Sequence, residues 1–273
     1  MPVIKTITPV SVTLQKYIEC FYLYSGEVDD TFCYWAFPHY NTGLSFFKGV
    51  SIDRKERSVE IANCGNDHVT IEVLGKYTYP VMVRYAGNVQ EVSIVFKPLG
   101  LNRFFRDSYQ AIAPGFSQPL SNNEWTAFGE KLFMNGGNIG ILESFLLSQL
   151  SENSDFGPIE SSLSVLGNID DDTSVAAMAL RLGYNVKTFQ RLFRKHMGCT
   201  PVEYRRICRF RQSMVNKLDS PHLKTLTDLT YEGGYFDQSY FIKEFRKLTN
   251  HNPKDFFKVV GKVAGDILVW EIR

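Results

Sequence analysis

The sequence lacks the features that mark secreted, membrane-bound and disulfide-stabilised proteins. It has five cysteines, an odd number, and none of them forms a CxxC pair, so free thiols in a reducing compartment are favoured. No apolar run approaches the ~20 residues of a membrane span, and no apolar signal core follows Met1. We therefore expect a soluble, cytoplasmic protein without a membrane partner.

Recognisable catalytic and metal-binding motifs are missing as well. The chain has no G-x-S-x-G turn, no Walker loop, no paired-carboxylate signature and no Pro-Cys-His-Arg nucleophile motif. The first half contains only two histidines, and the best ligand pair in it, Cys64 with His68, has no third member. We predict that the protein is not an enzyme and has no catalytic residues, metal site or cofactor.

The net charge of +1 conceals two oppositely charged halves. Residues 1–173 carry 20 acidic against 12 basic side chains, whereas residues 174–262 carry 17 basic against 7 acidic ones. This asymmetry indicates a basic module that binds a polyanion and an acidic module with a different task.

One pattern occurs twice in the basic half. Phe193-Arg194-Lys195, Pro201 and Tyr204 recur 52 residues later, and a Gly-Tyr pair precedes each copy, with a spacing of 51. Each copy reads as a short helix, a glycine turn and a helix with a cationic outer face. Two such units are what a chain needs to place two helices in DNA major grooves.

Capping residues define the helices of this half. Helix starts are predicted after Ser174, Asn185, Asp237 and Asn252, and Thr200-Pro201-Val202-Glu203 has the sequence of a capping box. The helix that begins at Pro201 should run to about Leu218, roughly 27 Å, and so separate the two units by nearly one turn of DNA.

The first hundred residues favour strands. Short β-prone segments, separated by Gly, Asn, Asp and Pro, recur about every ten residues, and amphipathic helices follow them. The predicted strands are 31–37, 43–47, 58–62, 69–74, 81–85 and 92–96, with a further strand-like segment at 266–273. We predict an α+β chain: an N-terminal β-barrel or sandwich-like (cupin-like) domain with flanking helices, then an all-α double helix-turn-helix domain. The predicted bounds are 1–160, 161–262 and a tail at 263–273, with 151–158 as the linker.

At these residues, segment 174–258 resembles the C-terminal DNA-binding domain of AraC/XylS-type transcriptional regulators. The shared motifs are ALRLGY at 179–184, FQRLFRK at 189–195, PVEY at 201–204, GYFDQSYF at 234–241 and EFRK at 244–247. Residues 17–22, 37–43 and 95–100 are similar to a β-rich sensor-like domain that precedes this module in one AraC-type subgroup. The resemblance implies a transcriptional regulator that binds a double-stranded DNA operator, contacts RNA polymerase if it activates, and is a monomer or homodimer.

The polar faces of the two recognition helices supply the candidate DNA contacts. Arg and Lys can bond guanine O6/N7, and Gln can bond adenine N6/N7. The base-edge candidates are Lys187, Gln190, Arg191, Gln238, Ser239 and Lys243. The phosphate candidates are Arg194, Lys195, Arg205, Arg206, Arg209, Arg246 and Lys247. A solvated cationic face is the alternative for these residues.

Aromatic side chains in the β-rich half are candidates for a small-molecule effector pocket, with ordinary core packing as the alternative. They are Tyr22, Tyr24, Trp35, Phe37, Tyr40 and Phe46. The sequence is thus interpreted as a DNA-binding regulator controlled by an effector or by self-association. A ligand-binding or protein-interaction protein whose helical domain does not read DNA is the alternative function.

Overall fold

The computed structural model of the chain describes residues 3–27, 31–151, 156–219, 225–263 and 268–272. In the first half, strands β1 to β10 span Val3–Ile7, Ile18–Ser25, Thr31–Ala36, Thr42–Lys48, Val50–Lys55, Ser58–Asn63, Val69–Leu74, Val81–Ala86, Gln90–Phe96 and Ser117–Pro119. Helices α1 to α4 in this half span Val12–Gln15, Tyr109–Ile112, Asn123–Met134 and Ile139–Gln149. Helices α5 to α11 span Gly157–Gly167, Val175–Arg181, Val186–Met197, Pro201–Asp219, Leu226–Glu232, Gln238–Thr249 and Pro253–Val259, followed by strands β11 (Gly261–Val263) and β12 (Leu268–Ile272).

The strands form two separate six-stranded sheets. The first has the order β1-β2-β9-β4-β7-β10 and is antiparallel throughout, and the second has the order β11-β12-β3-β8-β6-β5 with one parallel pair, β6 with β8. The α+β prediction is confirmed, and of its two forms for the N-terminal domain the sandwich is correct.

The first sheet is buried on both faces, which explains why its strands carry apolar residues on both sides. Along β4, Leu44 and Phe46 belong to one apolar cluster, while Phe47 belongs to another on the opposite face. Successive strand residues point to opposite faces, so a strand covered on both sides reads as an almost continuous apolar run.

Helices α3 and α4 cover one face of the first sheet. Asn122 caps α3 by accepting from the main-chain N–H groups of Glu124 and Trp125, which fixes where the helix begins. Trp125 then stacks on Phe46, with ring centroids 6.1 Å apart. The other face of the sheet packs against the second sheet, and the internal cavity described below lies between the two.

The helices of the second half begin at the predicted capping residues. Ser174, Asn185, Asp237 and Asn252 each cap a helix through the side chain. Thr200 and Glu203 form the predicted capping box: the Glu203 N–H donates to Thr200 Oγ1 at 3.2 Å, and the Thr200 N–H donates to Glu203 Oε2 at 2.7 Å. Helix α8 ends at Asp219, one residue beyond the prediction.

All six strands predicted within residues 31–96 are present, with ends that differ by at most two residues. Strands β1, β5 and β10 were not predicted. The strand-like tail is confirmed over Leu268–Ile272, where β12 extends the second sheet by pairing with β3. Residues 266, 267 and 273 of that predicted segment lie outside the described residues.

Helix α5 begins at Gly157 and spans the predicted domain boundary at residue 160. It packs against α7 and α8, so we propose that the helical domain begins before Gly157 rather than at 161. Residues 152–155 of the predicted linker lie outside the described residues. None of the described helices combines the length and the apolar composition required to cross a membrane.

Candidate nucleic-acid interface and internal cavity

The first recognition helix, α7, separates an apolar face from a cationic one. Asn185 accepts from the Thr188 N–H at 2.8 Å and so sets the start of the helix, and Phe189 and Phe193 are completely buried one turn apart. The predicted contact residues lie on the remaining surface. Lys187, Arg191, Arg194 and Lys195 are exposed, and Gln190 is half-buried.

The second recognition helix, α10, repeats this arrangement. Asp237 accepts from the Tyr240 N–H at 2.8 Å, and Phe241 and Phe245 are buried. The predicted contact residues on this helix are all exposed: Gln238, Ser239, Lys243, Arg246 and Lys247. Sequence reasoning therefore placed both sets on surfaces that a duplex can reach.

Helix α8 connects the two units and is held to the second by a buried carboxylate. Glu244 of α10 is only 4% exposed in its side chain, and it pairs with Arg206 Nε at 2.6 Å and with Lys247 Nζ at 2.6 Å. A buried ion pair of this kind favours a single orientation of the two helices. Arg206 and Lys247 therefore have structural partners in addition to their predicted phosphate role.

The other α8 candidates are also only partly exposed. Arg205 donates through Nη2 to the carbonyl of Thr173 at 2.6 Å, and its pKa is lowered chiefly by burial and also by neighbouring Arg209. The structure places Arg205 and Arg209 beside the loop before α6 and the second glycine turn, respectively.

Arg211 joins the two halves of the molecule. The guanidinium is buried and donates to the carbonyl oxygens of Phe37 at 2.6 Å and Pro38 at 2.7 Å, and burial lowers its pKa to about 10. The hydrogen-bond acceptors of Arg211 are thus main-chain carbonyls just after β3 in the other half of the molecule, not an acidic side chain of its own domain. Those carbonyls follow the last paired residue of the strand, which leaves them without ladder partners.

Apolar packing reinforces this contact. The Phe37 ring meets the edge of Phe256 from α11, with centroids 5.0 Å apart. At the C-terminus of α7, Gly198 adopts φ 71° and lies against Tyr109 of α2 so closely that a Cβ would come within 2.3 Å of the ring. Only glycine satisfies both the backbone conformation and the close approach.

A cavity lies between the two sheets. The volume of the cavity is about 100 Å³, and its walls are mainly apolar. Of the six predicted pocket residues only Tyr22 lines it. Tyr24 lines a smaller neighbouring cavity, and Phe46 faces α3. Trp35, Phe37 and Tyr40 pack against the helical half. Aromatic content alone could not distinguish residues that line the cavity from residues that pack in a core or against the helical half.

Two carboxylates on the cavity wall were missed by sequence reasoning. Glu72 of β7 pairs with Arg54 and accepts from Ser117 Oγ at 2.5 Å. Glu91 of β9 accepts from the hydroxyls of Tyr22 at 2.8 Å and Tyr85 at 2.7 Å. The available signal was a lone acid inside an otherwise apolar strand. In the described ranges, no cluster of three or more His, Cys, Asp or Glu residues is arranged to hold a metal ion.

Two family models match separate parts of the chain. Residues 172–258 match a family model described as a helix-turn-helix domain, which is of the AraC type, and residues 5–114 match a domain family of unknown function. No curated protein matches the sequence.

Solved structures with detectable similarity include ToxT from Vibrio cholerae at 1.65 Å resolution. It is 14% identical, covers 87% of this chain and 97% of its own, and has a TM-score of 0.44. ToxT bound to (E)-4-(8-methylnaphthalen-1-yl)but-3-enoic acid is 15% identical over 86% of this chain and 97% of its own, also with a TM-score of 0.44. A DNA-binding transcriptional dual regulator from Escherichia coli K-12 is 20% identical over 37% of this chain and 95% of its own, with a TM-score of 0.31.

Proposed function

We propose that this chain, whose residues 172–258 form an AraC-type helix-turn-helix domain, is a sequence-specific DNA-binding transcriptional regulator controlled through its N-terminal sandwich. Its target is double-stranded DNA with two unlike contact elements, because α7 and α10 present different residues. RNA polymerase becomes a further partner if the regulator activates transcription.

The observation that carries the proposal is the pair of exposed, cationic helix faces on one rigid support. In the 52-residue repeat, Arg191 and Arg194 on α7 occupy the positions of Lys243 and Arg246 on α10, and all four are exposed. Helix α8 between them has 19 residues and is therefore about 28 Å long. Equivalent major-groove positions on one face of DNA are about 34 Å apart, so the two helices are suited to adjacent grooves.

Selection from a randomised duplex library tests this function directly. The full chain is expected to enrich an asymmetric motif with two elements whose centres lie about 10 base pairs apart. A variant that combines Lys187→Ala with Arg191→Ala should lose preference for the first element. The control Lys131→Ala removes a positive charge from an exposed site on α3 and should leave the motif unchanged.

Failure of the library to enrich any motif would support the alternative function, in which the helical domain does not read DNA. Enrichment of an identical motif by the α7 variant would instead contradict the assignment of base contacts. Measuring the mass of the protein–DNA complex in the same samples distinguishes monomer from homodimer, and hence tests self-association as the mode of control.

A direct chain of contacts supports control by a small molecule. Tyr77 lines the cavity, and its hydroxyl donates to the carbonyl of Phe37 at 2.7 Å. The same oxygen accepts from Arg211 Nη2 of α8. A ligand that moves Tyr77 thereby acts on the helix that sets the spacing of the recognition units. Such a ligand biases DNA binding only by its different affinity for the two domain arrangements.

A further inference from the structure

The carboxylate of Glu91 is surrounded by hydroxyl groups that donate to it. Oε1 accepts from Tyr22 at 2.8 Å and from Ser93 at 2.5 Å, and Oε2 accepts from Tyr85 at 2.7 Å. Ser93 lies 2.6 Å from Ser45, which can donate to it in turn. Three hydroxyl groups are therefore placed where they can donate to the ionised carboxylate.

No lysine or arginine lies beside Glu91. Among the residues that the structure describes, neither residue type pairs with it or lines the cavity, and the histidine on the cavity wall is His39. Glu72, on the same wall, is paired with Arg54. Burial favours neutral Glu91 and raises its pKa. A buried carboxylate without a counter-charge is strongly unfavourable, so a cation bound beside Glu91 would stabilise its ionised form.

The walls around Glu91 are aromatic. Tyr22, Tyr34, Tyr85 and Phe47 all line the cavity, and the Tyr34 and Tyr85 rings stack with centroids 6.1 Å apart. The faces of aromatic rings attract cations, most strongly where water is excluded. An acid acceptor among aromatic faces is suited to an ammonium group on an apolar body.

We propose that the cavity between the sheets binds a small apolar amine, with the ammonium group of the ligand placed against Glu91 and its apolar part among the aromatic and aliphatic walls. The volume of about 100 Å³ is smaller than the roughly 150 Å³ of an apolar cavity that accommodates benzene, so the ligand is limited to about four non-hydrogen atoms. Binding itself does not depend on the proposed function, and only the regulatory consequence of binding does.

Calorimetric titration of the full chain at pH 7 with three probes of matched size tests the proposal. Propylamine is cationic, 1-propanol is neutral and propanoate is anionic at this pH. Propylamine should bind at least about tenfold more tightly than 1-propanol, as expected for a hydrogen bond to a charged group, and propanoate should bind most weakly. Equal binding of amine and alcohol, tighter binding of propanoate, or no binding of propylamine would each overturn the proposal.

Two variants locate the site. Glu91→Gln keeps the shape of the side chain and should remove the preference for propylamine over 1-propanol, whereas Glu130→Gln makes the same charge change at an exposed site on α3 and should preserve it. Ile61→Phe adds bulk to the cavity wall and should abolish binding of all three probes. If Glu91→Gln does not fold, retention of propylamine binding by Ile61→Phe still overturns the proposal.

A parallel measurement with the selected duplex separates this inference from the proposed function. Amine binding without any DNA binding would leave the cavity assignment intact and remove the regulator. Normal DNA binding by a chain that ignores all three probes would have the opposite meaning. Both activities, with a change in DNA affinity on addition of propylamine, would link the two.

Discussion

Removing the Arg211 guanidinium should destabilise the contact between the sandwich and the DNA-binding domain. Its two hydrogen bonds to the Phe37 and Pro38 carbonyls are charge-assisted and contribute about 1.5–3 kcal/mol each before the cost of burial. Burial lowers the pKa of Arg211 to about 10, which corresponds to a cost of about 3 kcal/mol for the charged form. The third guanidinium nitrogen, Nη1, is buried without a hydrogen-bond partner among the described residues, and its desolvation is part of that cost.

These contributions nearly cancel in the intact protein, and the larger effect comes from what the substitution leaves behind. In Arg211→Met the side chain still fills most of the space, but the buried Pro38 carbonyl loses its donor. An unsatisfied buried polar group costs about 1–3 kcal/mol, and we expect the free energy of unfolding to fall by that amount. Urea titration followed by tryptophan fluorescence measures it. Trp35 packs against the same cluster as Phe37 and reports on this contact.

A double-mutant cycle gives the sharper test. Tyr77 and Arg211 donate to the same oxygen of Phe37, so Tyr77→Phe alone leaves that oxygen one donor and the double variant leaves it none. The combined loss should therefore exceed the sum of the single losses by at least about 0.5 kcal/mol. Gln212→Met is the matched control at an exposed neighbouring position. Strict additivity, or an Arg211→Met variant as stable as Gln212→Met, would refute the reasoning.

Three further predictions concern DNA contacts, ionisation and thiol reactivity. Arg191→Ala should reduce discrimination at one base pair by about 1–3 kcal/mol, whereas Arg194→Ala should weaken binding to all duplexes alike and lower the salt dependence of the binding constant by about one phosphate contact. Binding titrations with matched and mismatched duplexes at several salt concentrations measure both effects. Equal effects of the two variants on every duplex would contradict the assignment. Burial lowers the pKa of Lys76 from 10.5 to about 8. Between these pH values the unfolded chain binds more protons than the folded chain, so the free energy of unfolding should rise with pH. Relative to Lys76→Met, the wild type should gain at most about 3 kcal/mol from pH 8 to 10.5. Urea unfolding measures that difference, and a flat profile would exclude it. Cys64 is exposed and should be alkylated rapidly, which mass spectrometry measures. Alkylation of the protected thiols while the protein is still folded would contradict this prediction. The protected thiols are those of Cys20, Cys199 and Cys208, whose pKa is raised to about 12 chiefly by burial.

The helical half was predictable because its information is local. A cap such as Asn185 and a turn glycine such as Gly183 determine the ends of helices through bonds within a few residues, and the apolar stripe of each helix indicates its buried face. The exposed surface follows as the complement of that stripe. This is why the cationic faces of α7 and α10 were located without knowledge of the fold.

The sandwich was predictable only as a set of strands. Both faces of the first sheet carry large apolar side chains, so Phe46 and Phe47 look alike in the sequence although only Phe47 lines the cavity. Pairing order is also long-range: β2 lies beside β9, and β12 beside β3. Acids within apolar strands, Glu72 and Glu91, were the better marker of the cavity, because a buried charge requires partners that a core residue does not.

Helix α8 has two functions that its sequence does not separate. One face of α8 is fixed to α10 by the ion pair between Arg206 and the buried Glu244. Another face is bonded to the sandwich through the hydrogen bond from Arg211 to the Phe37 carbonyl. Because both functions rest on one rigid rod, a shift of the Phe37 carbonyl by Tyr77 cannot be absorbed locally on α8 without loss of a buried hydrogen bond. Under the proposed function, that cost is instead transmitted to the orientation of the DNA-binding domain as a whole, so that a ligand in the cavity changes DNA affinity.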